Sequence, residues 1–191
     1  VREGSILLDG RDVRPWPLRE LREKFGVVPQ KAVLFKGSLR ENMKWGKADA
    51  SDEEIYQALA IAQARDFVEA KGKGLKLFIE QGGKNLSGGQ RQRLTIARAL
   101  GRKPEILIMD DSASALDFAT DARLRKAIRE ETRDMTVFLV SQRVATVRGA
   151  DQIIVLDDGK IAGMGTHRQL LDGCQIYREI CQSQLSEKEV Q

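Results

Sequence analysis

The chain has 191 residues, enough for one domain with a respectable core, or for one domain carrying a lobe. Its 32 Lys and Arg against 28 Asp and Glu leave a net charge of +4, compatible with a nucleotide but too balanced to imply DNA or RNA. An aromatic content of 5% with 31% charged residues fits an α/β enzyme domain rather than a disulfide-stapled secreted module. No apolar run approaches the ~18 residues of a membrane span, so these residues are expected to be soluble. Val1-Arg-Glu-Gly4 has neither the apolar core nor the cleavage site of a signal peptide.

Ser5-Ile-Leu-Leu8 reads as a short strand closed by an Asp9-Gly10 turn, and Pro17 to Arg22 as a short helical turn. Phe25-Gly-Val-Val-Pro-Gln30 predicts a strand that stops at Pro29, because proline has no N–H for a sheet ladder. Residues 38 to 78 read as mostly helical. Ser51-Asp-Glu-Glu54 is a capping box opening a helix whose apolar face takes Ile55, Leu59, Ala62 and, beyond it, Phe67; Lys71-Gly-Lys-Gly74 breaks it. Helices inserted between strand segments suggest a lobe beside an α/β core.

Asn85-Leu-Ser-Gly-Gly-Gln-Arg-Gln-Arg-Leu94 is a Ser-Gly-Gly turn opening a helix. The glycines let backbone come close to a ligand, and the first helical turn offers N–H groups and a positive dipole end to an anion. Beyond it Leu94, Ile96, Ala97 and Leu100 take a mostly helical spacing, while Arg91, Arg93 and Arg98 keep the segment positive. Glu105-Ile-Leu-Ile-Met-Asp110 is an apolar run ending in acid, the pattern of a strand buried on both faces, with a carboxylate where α/β sheets bind ligands. Thr120 to Glu131 reads as helix, Thr136–Val140 and Gln152–Leu156 as further buried strands, and Asp157-Asp-Gly-Lys160 as a hairpin turn. His167 is the sole histidine, at a helix start, and is expected at the surface rather than as a ligand. Cys174 and Cys181 are expected two turns apart on one helix, ~10 Å by rise alone, as reduced thiols. The last helix is expected to end near Leu185, with a frayed tail over Ser186–Gln191.

Taken together, these motifs resemble those of the ABC ATPases. Leu86-Ser-Gly-Gly-Gln90 resembles the signature motif, Ile106–Asp110 the Walker B strand, and Ser114-Ala-Leu-Asp117 the D-loop. Val28-Pro-Gln30 followed by Leu34-Phe-Lys-Gly-Ser-Leu-Arg-Glu-Asn42 is similar to ABC exporters. The resemblance runs from Gly4 to about Leu185. It implies an α/β, P-loop NTPase-like parallel-sheet core (1–37 and 101–191) with a helical signature lobe (38–100). It further implies ATP and Mg²⁺ as cofactors, with Asp110 and Gln30 at the metal and Gln30, Asp111 and Gln142 around the attacking water and γ-phosphate. Ser87, Gly88, Gly89, Gln90 and Asp117 would face the nucleotide of a second ATPase domain. The other implied partner is a transmembrane domain of the same transporter, which places this segment on the cytoplasmic face of the cell membrane.

Three departures from the family pattern carry information. No Gly-x-x-x-x-Gly-Lys-Ser/Thr occurs, so the chain resembles a domain cut after its phosphate loop, and these residues alone are expected to lack ATPase activity. The first core strand would also be missing, leaving a gap between strands 136–140 and 152–156. Asp111 stands where the family has a glutamate that polarises water, and its arm is one methylene shorter. Gln142 stands at the switch histidine and cannot carry a charge. Gln81, where exporters commonly have glutamate, is a smaller variation. Asp111 and Gln142 together resemble the degenerate subunit of heterodimeric exporters. Two other readings stand beside this one: a non-transport ABC ATPase of the DNA-repair or chromosome type, and an interaction module that never meets nucleotide. The first calls for a long coiled coil between Gln30 and the signature, and no long heptad pattern lies there. The second has no need of Ser87-Gly-Gly89 or Asp110.

Overall fold

The computed structural model describes residues 3–112 and 114–184. The chain opens on a hairpin of β1 (Leu7–Leu8) and β2 (Arg11–Asp12), shorter than the four-residue strand expected from Ser5. Asp9 and Gly10, at φ of 50° and 75°, supply the left-handed pair that a two-residue turn requires. Helix α1 (Leu18–Glu23) follows Pro17, whose ring fixes φ near its observed −56°. Strand β3 (Phe25–Val28) then ends at Pro29, as expected.

A helical segment comes next: β4 (Gly37–Ser38), α2 (Leu39–Lys44), α3 (Asp52–Ile61), α4 (Arg65–Ala70), β5 (Phe78–Ile79) and α5 (Gly88–Leu100). Helices α2, α3 and α5 each start with a reciprocal capping box, Ser38 with Glu41, Ser51 with Glu54 and Ser87 with Gln90. Leu39, Leu59, Leu94 and Ile96 are fully buried and form the core here. Helix α3 stops well before Lys71. Gln63 turns left-handed at φ 56°, and the Ala64 N–H donates back to the Leu59 carbonyl at 2.7 Å. Phe67 therefore belongs to α4 and not to the face of α3. Its ring lies 4.9 Å from the Arg93 guanidinium, which also donates to the Gln63 carbonyl at 2.6 Å.

Strand β6 (Ile106–Asp110) pairs in parallel with β3, Phe25 opposite Ile106 and Val28 opposite Met109. Helix α6 (Phe118–Glu131) follows, and β7 (Thr136–Val140) completes the sheet in the order β3-β6-β7. The expectation of strands buried on both faces is corrected. In β6, Leu107 and Met109 are buried but Ile106 and Ile108 only half so. In β7, Phe138 and Val140 are more than half exposed. Burial of both faces needs a layer on each, and among the described residues the second layer is incomplete.

The chain forms two units, one as far as Phe138 and the other from Leu139. The second holds α7 (Val144–Val147), β8 (Ile153–Asp157), β9 (Lys160–Gly165), α8 (His167–Gly173) and α9 (Gln175–Gln184). Strands β8 and β9 form an antiparallel hairpin turned by Asp158 and Gly159, at φ of 44° and 73°. Ile153 and Val155 pack against Leu170, Cys174, Tyr177 and Cys181. The opposite face of the hairpin stays open, so β8 too is buried on one face only. Cys174 ends α8 while Cys181 lies in α9, so the two cysteines do not share a helix; both are buried free thiols. His167 is half-buried rather than at the surface, its Nδ1 lying 2.8 Å from the Tyr177 hydroxyl. Leu185 and the expected tail over 186–191 lie outside the described residues. Among the described residues no helix is long and apolar enough to cross a membrane.

Candidate functional site

The parallel register of β3 and β6 builds the site. Val28 is level with Met109, so continuing both chains by two residues places Gln30 beside Asp111 at the C-terminal ends of the strands, where α/β sheets bind ligands. The Gln30 amide Nε2 donates to Asp111 Oδ2 at 3.2 Å. Asp110, the last residue of β6, is exposed. Asp111 turns the chain off the strand at φ 41°, a left-handed value that aspartate tolerates better than most side chains. Its carbonyl accepts from both the Ser114 hydroxyl, at 2.8 Å, and the Ser114 N–H, at 3.2 Å. The carboxylate is thereby aimed from a closed turn.

The signature turn is built by its cap. Ser87 Oγ accepts from the Gln90 N–H at 3.2 Å, and Gln90 Oε1 accepts from the Ser87 N–H at 3.1 Å. This leaves the Gly88 and Gly89 amides as first-turn donors without an intrahelical acceptor. The two glycines differ. A Cβ on Gly88 would meet only Arg91 Nη2, at 4.0 Å, whereas one on Gly89 would lie 3.2 Å from the Ala115 carbonyl oxygen. The helix therefore starts tight against the segment leading to Asp117. Asp117 is itself a cap: its carboxylate accepts from the Thr120 N–H at 2.8 Å, and this bond holds the group below its ordinary pKa. Arg91 secures the approach to the turn by donating to the Leu86 carbonyl at 2.7 Å.

Gln30, Asp110 and Asp111 are thus gathered at the C-terminal ends of two adjacent strands. Ser87, Gly88, Gly89 and Gln90 share one helix start, packed on the loop before Asp117. Gln142, in the second unit, is exposed, and its backbone is set by a residue that sequence reasoning missed. The side-chain amide of Gln184 donates to the Gln142 carbonyl at 2.8 Å and accepts from the Val144 N–H at 3.0 Å. Gln92 was also missed, and Arg98 was read only as a positive charge. Gln92 is buried and donates to the Pro29 carbonyl at 3.5 Å; Arg98 donates to the Val33 carbonyl at 2.9 Å. A polar residue on the buried stripe of a helix is the signal that marks Gln92.

The family model described as ABC transporter matches residues 1–114. The chain is 43% identical over 187 residues to an uncharacterized ABC transporter ATP-binding protein of Mycobacterium bovis, covering 96% of this chain and 32% of that one. It is 45% identical over 177 residues to a probable multidrug resistance ABC transporter ATP-binding/permease protein of Bacillus subtilis, covering 93% and 30%. A structure of a bacterial Atm1-family ABC exporter with ATP bound matches 97% of this chain and 33% of that chain, with a TM-score of 0.92 and 35% identity. The chain spans about a third of the length of the curated relatives it matches. The parallel β3–β6 pair, the capped Ser-Gly-Gly turn and the family match over 1–114 agree: the chain belongs to the ABC transporter family and has the α/β fold of an exporter's ATP-binding domain.

Proposed function

We propose that this chain is the energy-coupling part of an ABC exporter's ATP-binding domain, on the degenerate side of a heterodimer, at the cytoplasmic face of the membrane. Gln30 paired with Asp111 at the ends of parallel strands is the observation that carries it. Its partners are a second ATPase domain and a transmembrane domain of the same transporter.

The residues fit Mg-ATP in a restricted sense. Among the described residues no group of three or more acidic, histidine or cysteine side chains could hold a metal alone. Mg²⁺ is commonly held by one or two carboxylates plus substrate phosphates, and the exposed Asp110 carboxylate with the Gln30 amide oxygen suits that role. The bound metal would neutralise charge developing on the phosphates. Asp111 would stand as the base toward the attacking water, its shorter arm lowering the rate, and Gln142 would offer a hydrogen bond without charge. Across the dimer, Ser87, Gly88, Gly89 and Gln90 would present first-turn amides to the γ-phosphate of the site that hydrolyses, with Asp117 nearby. The insert between Gln30 and the signature supports this reading over a chromosome-type ATPase, since its helices α2, α3 and α4 are short and packed in a lobe.

The test is made in the full-length transporter with its partner. Gly88→Asp puts a negative charge where the turn needs bare backbone and a positive field, and ATP turnover should collapse. Asp111→Asn alters the weaker site, and turnover should fall only modestly, by no more than about 10-fold. If Asp111→Asn abolishes ATPase as fully as Gly88→Asp, Asp111 is a working catalytic base and the degenerate-subunit reading is wrong.

A further inference from the structure

We infer that Gln92 and Arg98 are positioning residues through which helix α5 holds the Gln30 segment in register with the signature turn. The inference rests on the proposed function, in which that turn faces a partner's nucleotide while Gln30 faces this chain's own site.

Strand β3 ends at Val28, so the carbonyls of residues 29–33 have no place in the sheet ladder. Side chains of α5 supply partners for the first and last of them. Gln92, 2% exposed, reaches the Pro29 carbonyl just before Gln30; Arg98 takes the Val33 carbonyl just after it. The segment's far end is pinned by Asn42, 1% exposed, whose side chain accepts from the Phe35 N–H and donates to the Phe35 carbonyl, both at 2.9 Å. Gln30 is thus carried on a strap fixed at three points, two of them on α5.

The other end of the same helix is the Ser87 cap. Its 13 residues make a rod of ~20 Å, stiffened by the buried stripe of Leu94, Ile96, Ala97 and Leu100. A displacement of Ser87 against a partner's phosphates moves Gln92 and Arg98 with it, and through them the amide that faces Asp111. Arg98 has a spare donor for such a shift. Its Nη1 is buried without a hydrogen-bond partner, and the guanidinium lies 5.8 Å from the Phe35 ring, so movement of the 33–35 backbone can exchange one acceptor for another. Burial also depresses the Arg98 pKa, as expected for a guanidinium held away from water. The strap couples two nucleotide sites by ordinary hydrogen bonds between a rigid helix and a loop.

A double-mutant cycle in the full-length transporter with its partner tests this. Gln92→Leu and Arg98→Met should each lower kcat about 3–10-fold with the KM for ATP changed less than about 2-fold, and Gln30→Ala should lower kcat by a comparable factor. On the Gln30→Ala background, each should lower kcat by less than about a further 2-fold, because the residue it positions is gone. Arg98→Lys, which keeps one donor for Val33, should recover most of the rate; Gln92→Leu carries the cycle alone if Arg98→Met does not accumulate. Losses that multiply undiminished on Gln30→Ala, or a Gln92→Leu protein with normal kcat, overturn the inference. Gly88→Asp separates the two claims. Normal turnover in that variant sinks the reading of the signature, whereas its collapse beside a silent Gln92→Leu sinks only the coupling.

Discussion

Gly88 and Gly89 are adjacent and sit in different surroundings. Around Gly88 a methyl group would meet only Arg91 Nη2, at 4.0 Å, and in the proposed reading its bare backbone serves a partner's phosphates. Around Gly89 the Ala115 carbonyl already sits where a methyl group would press, at 3.2 Å, with Leu116 Cδ2 at 3.7 Å. In thermal denaturation of the chain itself, Gly88→Ala should be neutral or stabilising by up to ~1 kcal/mol, since alanine restricts the unfolded chain. Gly89→Ala should destabilise by ~1–3 kcal/mol through overpacking. Equal effects from the two changes would show that the turn does not pack on the 115–117 segment. The helix start at Ser87 was legible in the sequence because a Ser-Gly-Gly turn is a local signal. Gln92 and Gln184 were not, because their carbonyl partners lie far along the chain, at Pro29 and Gln142. No spacing rule connects residues joined only by the fold.

At the scale of elements, the N-terminus of α3 is fastened by charge. Glu54 accepts from Lys47 at 2.8 Å and Lys103 at 3.0 Å, and its second oxygen accepts from the Ser51 N–H as part of the capping box. Lys47, Lys103 and the Ser51 N–H, in that order, lower its pKa to about 2. A carboxylate held below its ordinary value of 4.5 contributes stability that is present above that pH and lost as pH falls toward 2. Glu54→Gln keeps the box, which accepts glutamine, and removes only the charge. The variant should therefore melt below the parent at pH 7, and the gap should close between about pH 4.5 and 2. A gap that persists unchanged at the acid end would assign Glu54 a role in packing rather than in charge. The start of α3 was readable from Ser51-Asp-Glu-Glu54, but its end was not. Glycine signals at 72 and 74 drew the expected break past Gln63, a non-glycine residue in the left-handed region. The buried strands misled for a related reason: the run 137–140 is apolar throughout, and an apolar run does not say what lies on it.

The molecule as a whole presents apolar surface that a self-sufficient domain would cover. On β8 and β9 the open face carries Ile154 opposite Met164, with Leu156 opposite Ile161 two pairs further on, past a register shift after Val155. These four side chains are 51%, 53%, 68% and 59% exposed, respectively, in a contiguous cross-strand block. Phe138 and Val140 are a further pair of exposed side chains on β7. Blocks of this kind mark surfaces that bury against something. The 191-residue chain, studied alone, should accordingly associate with rising concentration, and light scattering should give a mass that grows across the micromolar range. Leu156→Lys puts a charge at the most exposed member of the block while leaving Ile153 and Val155, on the opposite face, packed against Leu170 and Tyr177. It should shift the chain toward monomer without lowering its melting temperature. A parent chain that stays monomeric at high concentration would show the block to be too small to drive association. A Leu156→Lys chain that associates as strongly as the parent would move the contact elsewhere, with the exposed Phe138 and Val140 of β7 as the next pair to charge.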